Sequence, residues 1–127
     1  LKLFTYGTLQ RGHWNNHLLE GAEFIGKAIS RKPYVLYHCG FPMAVPHSIN
    51  PERLPLLPII GEVYEAGIDN VLRCDRLEGH PDWYQRTKIV AEVNGEEHEV
   101  FIYEMPTPPA HQRLCNIVDN RYYQWVG

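Results

Sequence analysis

The stretch that decides the fold is TKIVAEVNGEEHEVFIYEM, residues 87–105. Apolar residues recur at every second position on both sides of Asn94-Gly95 (Ile89, Ala91 and Val93; Val100 and Ile102). Asn-Gly suits a two-residue type I′ turn, because both central residues of that turn take positive φ. The spacing therefore predicts a β-hairpin with strands over 87–93 and 96–105.

Similar β-branched and aromatic runs occur over 3–6, 22–30, 33–38 and 59–66, with Gly61 as a candidate bulge in the last. Residues 41–45 read as extended but contain Pro42, which assigns them to an edge or a loop. SINPERLPLLP, residues 48–58, holds three prolines and reads as an irregular surface crossing. A short helix is expected over 14–19 and a longer one, capped by Asp69, running to about Glu78. PTPP, residues 106–109, is a rigid loop, and the tail over 111–126 is open between a short helix plus strand and coil. Strands dominate and do not alternate with helices. The expected fold class is α+β, a mainly antiparallel, β-barrel-like sheet with a few short helices, in a single domain spanning 1–127.

Composition excludes several function classes. The 127 residues are 44% apolar and 21% charged, ordinary for a globular domain. A net charge of −3 leaves no basic footprint, so no nucleic-acid partner is expected. No apolar run is long enough to span a bilayer, and no signal-like segment opens the chain, so a cytoplasmic protein without a membrane partner is expected. Cys39, Cys74 and Cys115 are odd in number and scattered, as are the seven histidines. Neither set has a zinc-ligand spacing, so no metal and no cofactor are expected. Ser48 and Cys39 have no visible base partner, which argues against a nucleophilic triad.

Two short stretches carry chemistry. In DRLEGHPDWYQRT, residues 75–87, a helical pattern breaks at Gly79-His80-Pro81. At about 100° per residue, Asp69, Arg73 and Arg76 share one side of the helix, and Glu78 falls between Val71 and Cys74 within the apolar arc. Its carboxylate then faces the interior or a pocket rim, and Asp75, near the same arc, is a rival. A carboxylate held against apolar neighbours is poorly hydrated and its pKa rises, as a general base working near neutrality requires. The alternative is a frayed helix end with Glu78 in water, and spacing alone favours it. In LFTYGTLQRG, residues 3–12, a strand ends at Gly7. The following amides can form a small nest for an anion or a carbonyl oxygen, or the segment is a plain strand-to-loop turn.

The two stretches occur in order with Phe41-Pro42 and with Gly61-Glu-Val-Tyr-Glu65. Together they resemble the γ-glutamyl cyclotransferase-like family, and most of all its γ-glutamylamine cyclotransferase branch. The likeness covers roughly the first hundred residues. It implies a small mixed fold around a β-barrel with a cavity at one end. Tyr6, Gly7, Thr8 and Leu9 then form the substrate-binding loop, Glu78 is the catalytic acid/base, and Tyr84 and Arg86 match the Tyr-x-Arg that follows it. The implied reaction folds a small γ-glutamyl substrate onto itself. Its α-amine attacks its own γ-carbonyl, 5-oxoproline closes and the free amine leaves, with no cofactor.

Tyr6 and Tyr103 could line the pocket or pack in the core. Arg86 could meet the substrate or form a structural ion pair. Trp14 and His13 could form a rim, and His80 is expected as a solvated turn residue. The runner-up function is a binding module that holds a γ-glutamyl or other carboxylate ligand without turning it over.

Overall fold

The computed structural model describes residues 1–127. The hairpin lies where its sequence puts it. Strands β6 (Gln85–Val93) and β7 (Glu96–Glu104) pair in antiparallel register from Gln85↔Glu104 to Val93↔Glu96. Asn94 and Gly95 between them have φ of 52° and 83°, the two positive values of the expected turn.

The remaining barrel strands are β1 (Lys2–Thr5), β2 (Glu23–Ser30) and β5 (Ile60–Glu65). They close a five-stranded barrel in the order β1-β5-β2-β6-β7. Every pairing is antiparallel except the closing contact of β1 with β7, which is parallel at Leu3↔Phe101. The fold is therefore the expected α+β class, mostly strand with one α-helix, α1 (Ile68–Glu78). A single turn of 3₁₀ helix covers Asn16–Leu19, inside the helix expected over 14–19. No helix is long and apolar enough to cross a membrane.

Period-two alternation divides the apolar residues between two cores. Phe4, Ala28, Val63, Ile89 and Val100 come one from each barrel strand and meet in the first. The second gathers Leu3, Tyr64 and Tyr103 from alternate positions of the same strands, with Val71 and Cys74 of α1. Helix α1 thus packs on the outer face of the barrel. The β3 (Val35–His38) and β4 (Pro42–Val45) ribbon supplies both cores and carries Pro42 as the first residue of its strand, a position without need of a ladder N–H.

Several expectations are corrected. The barrel's bulge is in β2, where the register with β5 shifts between Phe24 and Gly26, and not at Gly61, which pairs regularly with Ala28. Gly61 is needed for space: a Cβ there would collide with the Thr5 carbonyl and come within 2.8 Å of the Phe4 ring. The cap of α1 is Gly67, not Asp69; the Asn70 Oδ1 accepts the Gly67 N–H at 3.0 Å, and Asp69 sits in the first turn, where the helix dipole favours an acid. Of the two readings of the tail, its strand is present and its short helix is not. β8 (Asn116–Val118) and β9 (Tyr122–Gln124) form a hairpin across Asp119-Asn120, both at positive φ, and the Tyr123 and Trp125 side chains complete the first core.

Replacing Gly61 by Ala forces backbone out of the way, because one of the colliding atoms belongs to the β1 main chain. Overpacking of this kind costs about 1–3 kcal/mol, and a backbone clash sits at the upper end. Urea denaturation of Gly61→Ala is expected to show a correspondingly lower midpoint; a parent-like midpoint would mean that β1 and β5 can separate locally without loss.

Candidate active site

Where β1 ends, Gly7 allows two distant segments to touch. A Cβ at Gly7 would lie 2.7 Å from the Pro42 ring, so only glycine lets the loop pack against the start of β4. Residues 7–9 then run along one wall of a cavity of about 210 Å³. That volume is below the roughly 300–1,000 Å³ typical of drug-sized sites and suits a small metabolite.

Glu78 belongs to the lining of the same cavity. It is the last residue of α1, and Gly79 ends the helix in the left-handed conformation at φ 65°. The Gly79 and His80 amides return to the carbonyls of Arg76 and Asp75. The chain then folds back so that the Tyr84 N–H donates to the Glu78 carbonyl at 3.1 Å. The same turn brings Trp83 and Tyr84 to the cavity wall beside Glu78. The helix end is therefore tightly wound rather than frayed.

The Glu78 side chain is half-buried, its remaining exposure facing the cavity, and its carboxylate accepts no hydrogen bond from the protein. Burial raises its pKa from the usual 4.5 to about 7. Asp75, one turn earlier, has the opposite setting. Burial would raise its pKa too, but hydrogen bonds from Arg86 and Tyr103 outweigh that effect and lower it. The Arg86 guanidinium binds both Asp75 oxygens, at 2.9 and 3.2 Å, and the Tyr103 hydroxyl donates to Oδ1 at 2.6 Å. Two carboxylates on one helix are thus pushed apart, Asp75 held ionised and Glu78 left free to titrate near neutrality.

The loop amides complete the site. The Gln10 N–H donates to the Gly7 carbonyl at 3.0 Å, and the Arg11 N–H donates to Glu62 at 2.9 Å. The Gly7, Thr8 and Leu9 N–H groups donate to no protein acceptor. The Tyr6 hydroxyl donates to the Tyr103 carbonyl at 2.6 Å and the Tyr84 hydroxyl to the Pro42 carbonyl at 2.9 Å. These rings brace the cavity floor, and burial raises both their pKa values, so they act as neutral donors.

Of the residues singled out in the sequence, Tyr6, Gly7, Thr8, Leu9, Glu78, Tyr84 and Tyr103 border this one cavity. Arg86 does not; its guanidinium is committed to Asp75. Trp14 lies at the rim, 66% exposed, whereas His13 stacks on Trp125 with ring centroids 4.8 Å apart. His80 is not free in solvent, because its Nδ1 accepts the Arg86 N–H at 3.0 Å. Asn15, Phe41 and Trp83 also line the cavity and carried no assigned role in the sequence. Phe41 and Trp83 belong to the quoted motifs, and Asn15 has no sequence signal beyond its closeness to Thr8. Cys74 and Cys115 are buried thiols pushed up to about 12 by burial. No group of three His, Cys, Asp or Glu side chains gathers in a metal-binding arrangement.

A family model described as "Gamma-glutamyl cyclotransferase, AIG2-like" matches residues 3–124. The gamma-glutamylaminecyclotransferase of Bos taurus is 34% identical over 119 residues, covering 84% of this chain and 67% of that protein. Gamma-glutamylaminecyclotransferase A of Danio rerio is 31% identical over 123 residues, covering 84% of this chain and 70% of its own. The crystal structure of an AIG2-like protein from Mus musculus superposes with a TM-score of 0.74 at 23% identity, over 96% of this chain and 93% of that one, a likeness of fold.

The raised pKa of Glu78 has a consequence for stability. Below the unfolded value of about 4.5 the residue is protonated in both states; between 4.5 and about 7 the unfolded chain releases the proton first, so stability falls as pH rises through that window. At about 1.4 kcal/mol per pKa unit the loss is at most about 3.5 kcal/mol. Glu78→Gln stays neutral throughout. Its stability relative to the parent is expected to grow between pH 4.5 and pH 7 and then level off, as read by urea denaturation across that range. Parallel curves for the two proteins would show that Glu78 titrates as an ordinary exposed acid.

Proposed function

The chain belongs to the gamma-glutamyl cyclotransferase, AIG2-like family, and on that footing we propose that it cyclises a γ-glutamyl amine or peptide to 5-oxoproline with release of the free amine. The observation that carries the reading is that Glu78, free of protein partners and titrating at about 7, shares a small cavity with the unpaired amides of residues 7–9. Glu78 is also the sole charged side chain on the cavity wall.

In the proposed reaction the substrate's α-ammonium lies at Glu78 and its α-carboxylate, or the γ-carbonyl oxygen, at the loop amides. The α-amino group of a peptide terminus titrates at about 8; beside its own α-carboxylate the substrate's ammonium is a weaker acid, so transfer of its proton to a carboxylate at about 7 is uphill by more than about 1.4 kcal/mol. The freed amine attacks the γ-carbonyl carbon of its own molecule. Both partners are already joined, so the cavity need only select the folded conformer. The tetrahedral carbon then bears the attacking and the leaving nitrogen together, and one carboxyl can serve both. Glu78 gives the proton to the leaving nitrogen and the C–N bond breaks; the carboxylate so regenerated takes the second proton from the attacking nitrogen as the lactam forms and passes it to the departing amine. Donors aimed at the developing oxyanion are worth about 3–4 kcal/mol each in a site of this kind. Asp75, Arg86 and Tyr103 hold the last turn of α1 and take no proton.

The test is a screen of γ-glutamyl-ε-lysine, glutathione and γ-glutamyl amino acids for 5-oxoproline release. Activity is expected with at least one, with kcat/KM rising with pH through about 7 as Glu78 ionises. Glu78→Gln is expected to lower turnover by about 10²–10⁴-fold, the usual worth of a general acid/base. It should leave 5-oxoproline binding far less affected, since the amides are untouched. Near-normal turnover in the variant would remove Glu78 from the mechanism. Binding of 5-oxoproline without turnover of any substrate by the parent would replace the enzyme with a binding module. Activity is also expected to survive excess EDTA; restoration by added zinc after a loss would reveal a metal step.

A further inference from the structure

The free amides of Thr8 and Leu9 are held free by something, and the chain segment that does so lies outside the cavity's chemistry. Three consecutive carbonyls of the loop are tied down by the residues that follow it. The Gly7 carbonyl accepts the Gln10 N–H at 3.0 Å and Gln10 Nε2 at 3.3 Å. The Thr8 carbonyl accepts the Asn15 N–H at 3.1 Å. The Leu9 carbonyl accepts Asn16 Nδ2 at 2.8 Å. A trans peptide is planar, with its C=O and N–H pointing in opposite directions. Tying the Gly7 carbonyl one way aims the Thr8 N–H the other, and tying the Thr8 carbonyl does the same for the Leu9 N–H.

The two asparagine side chains brace this arrangement indirectly, since Gln10 holds the Gly7 carbonyl and the Asn15 main-chain N–H holds the Thr8 carbonyl. Asn15 Nδ2 donates to Thr8 Oγ1 at 2.9 Å, which locks the Thr8 rotamer and leaves its hydroxyl hydrogen without a protein acceptor. Asn16 Nδ2 also donates to the Tyr64 hydroxyl at 3.1 Å and so joins the loop to β5. Their segment is anchored in turn by Asn70, which is 6% exposed and lies in the first turn of α1. Asn70 Nδ2 donates to the Leu18 and Glu20 carbonyls at 3.0 and 3.1 Å, while its Oδ1 caps the helix through Gly67. One end of α1 thereby secures the loop's clamp, and its other end carries Glu78.

We infer that Asn15 and Asn16 are positioning residues that present the Thr8 and Leu9 amides to an oxygen-bearing ligand, and that Asn70 ties their clamp to the helix that carries Glu78. Neither side chain need touch the ligand through the groups described. The inference rests on the reading of residues 7–9 as an oxygen site, though not on turnover. Removing Asn16's donors frees the Leu9–Gln10 peptide, whose N–H holds the Gly7 carbonyl, so the Thr8 amide loses its aim although it is still present. The expected signature is weaker ligand binding with an unchanged Glu78.

The experiment is titration of the full chain with 5-oxoproline, followed by amide NMR, for the parent, Asn16→Leu and Asn15→Ala. In the parent the Thr8 and Leu9 N–H signals are expected to move on binding. In each variant the dissociation constant should rise about tenfold or more, with the Thr8 and Leu9 responses reduced. The midpoint near 7 that reports Glu78 should stay in place. If the parent's Thr8 and Leu9 amides ignore the ligand, the loop reading fails and takes the clamp with it. If they respond in parent and variants alike at parental affinity, the clamp alone is overturned. An affinity loss that moves the Glu78 midpoint equally marks general loss of structure and also overturns the positioning role. Asn16→Leu removes one of the Tyr64 hydroxyl's two partners and leaves Glu62 at 3.4 Å, and if that variant does not fold, half-buried Asn15 decides the matter through Asn15→Ala.

Discussion

A carboxylate that receives no hydrogen bond from the protein is costly to enclose, and the surroundings of Glu78 are arranged around that cost. The helix that carries it must end rigidly, or the side chain would swing into bulk water and recover its hydration. Rigidity comes from Asp75, one turn back, which binds Arg86 and Tyr103 of neighbouring strands β6 and β7. Removing one partner of this partly buried pair leaves an uncompensated charge, so the contact opposes the pull of water on Glu78. Because Asp75 and Arg86 neutralise one another, they hold the helix without adding a net charge to the cavity's field.

The barrel supplies the rest of the placement. β1 lies between β5 and β7, so the loop that leaves its end emerges beside Tyr103, and the Tyr6 hydroxyl closes on the Tyr103 carbonyl. Arg86 and Tyr103 are directly paired across β6 and β7. That register puts both side chains on one face of the sheet, where α1 packs. A one-residue slip of the hairpin would turn both away from Asp75 and release the helix end. The Asn94-Gly95 turn that fixes the register is therefore part of what positions Glu78, although it lies at the far end of the hairpin.

This dependence explains what could be read in the sequence and what could not. The hairpin was legible because its turn chemistry and alternation are local. The inward aim of Glu78 was legible from helical periodicity, although spacing alone preferred a frayed end; the Gly79 cap and the return of the Tyr84 N–H decide against fraying. The partner of Arg86 was not legible, because Asp75 meets it only after the reverse turn at Gly79-His80-Pro81. The bulge in β2 was assigned to Gly61 because a lone glycine in a strand has two uses. A close approach by a Phe4 ring on another strand cannot be told from an extra residue without the register. The tail hairpin turns on Asp119-Asn120, a weaker local signal than Asn-Gly. Tyr123 and Trp125 gain their meaning only from the barrel core they cover. Asn15, Asn16 and Asn70 look like ordinary polar residues until their acceptors, all main-chain carbonyls or hydroxyls, are in view.

The two sides of the cavity are also electrically unlike. Glu78 ends α1, where the helix dipole is negative, so ionisation there is disfavoured by the dipole as well as by burial, and both effects act in the same sense. At residues 7–9 of the same lining, unpaired N–H groups carry partial positive charge without a mobile cation. A zwitterionic α-amino acid head has a matching dipole, with ammonium toward the carboxylate and carboxylate toward the amides, and the reverse orientation sets like charges against each other at both ends. On the proposed reading this polarity does more than bind. It fixes which end of the γ-glutamyl unit meets the base, and with the α-amine held there the flexible side chain need only curl until its own γ-carbonyl reaches the same place. An arginine in the loop would hold the carboxylate more strongly. It would also favour the ionised form of Glu78 and lower the pKa that makes the carboxylate a useful base. Backbone amides provide the polarity without that loss, and the asparagines that aim them carry no charge either.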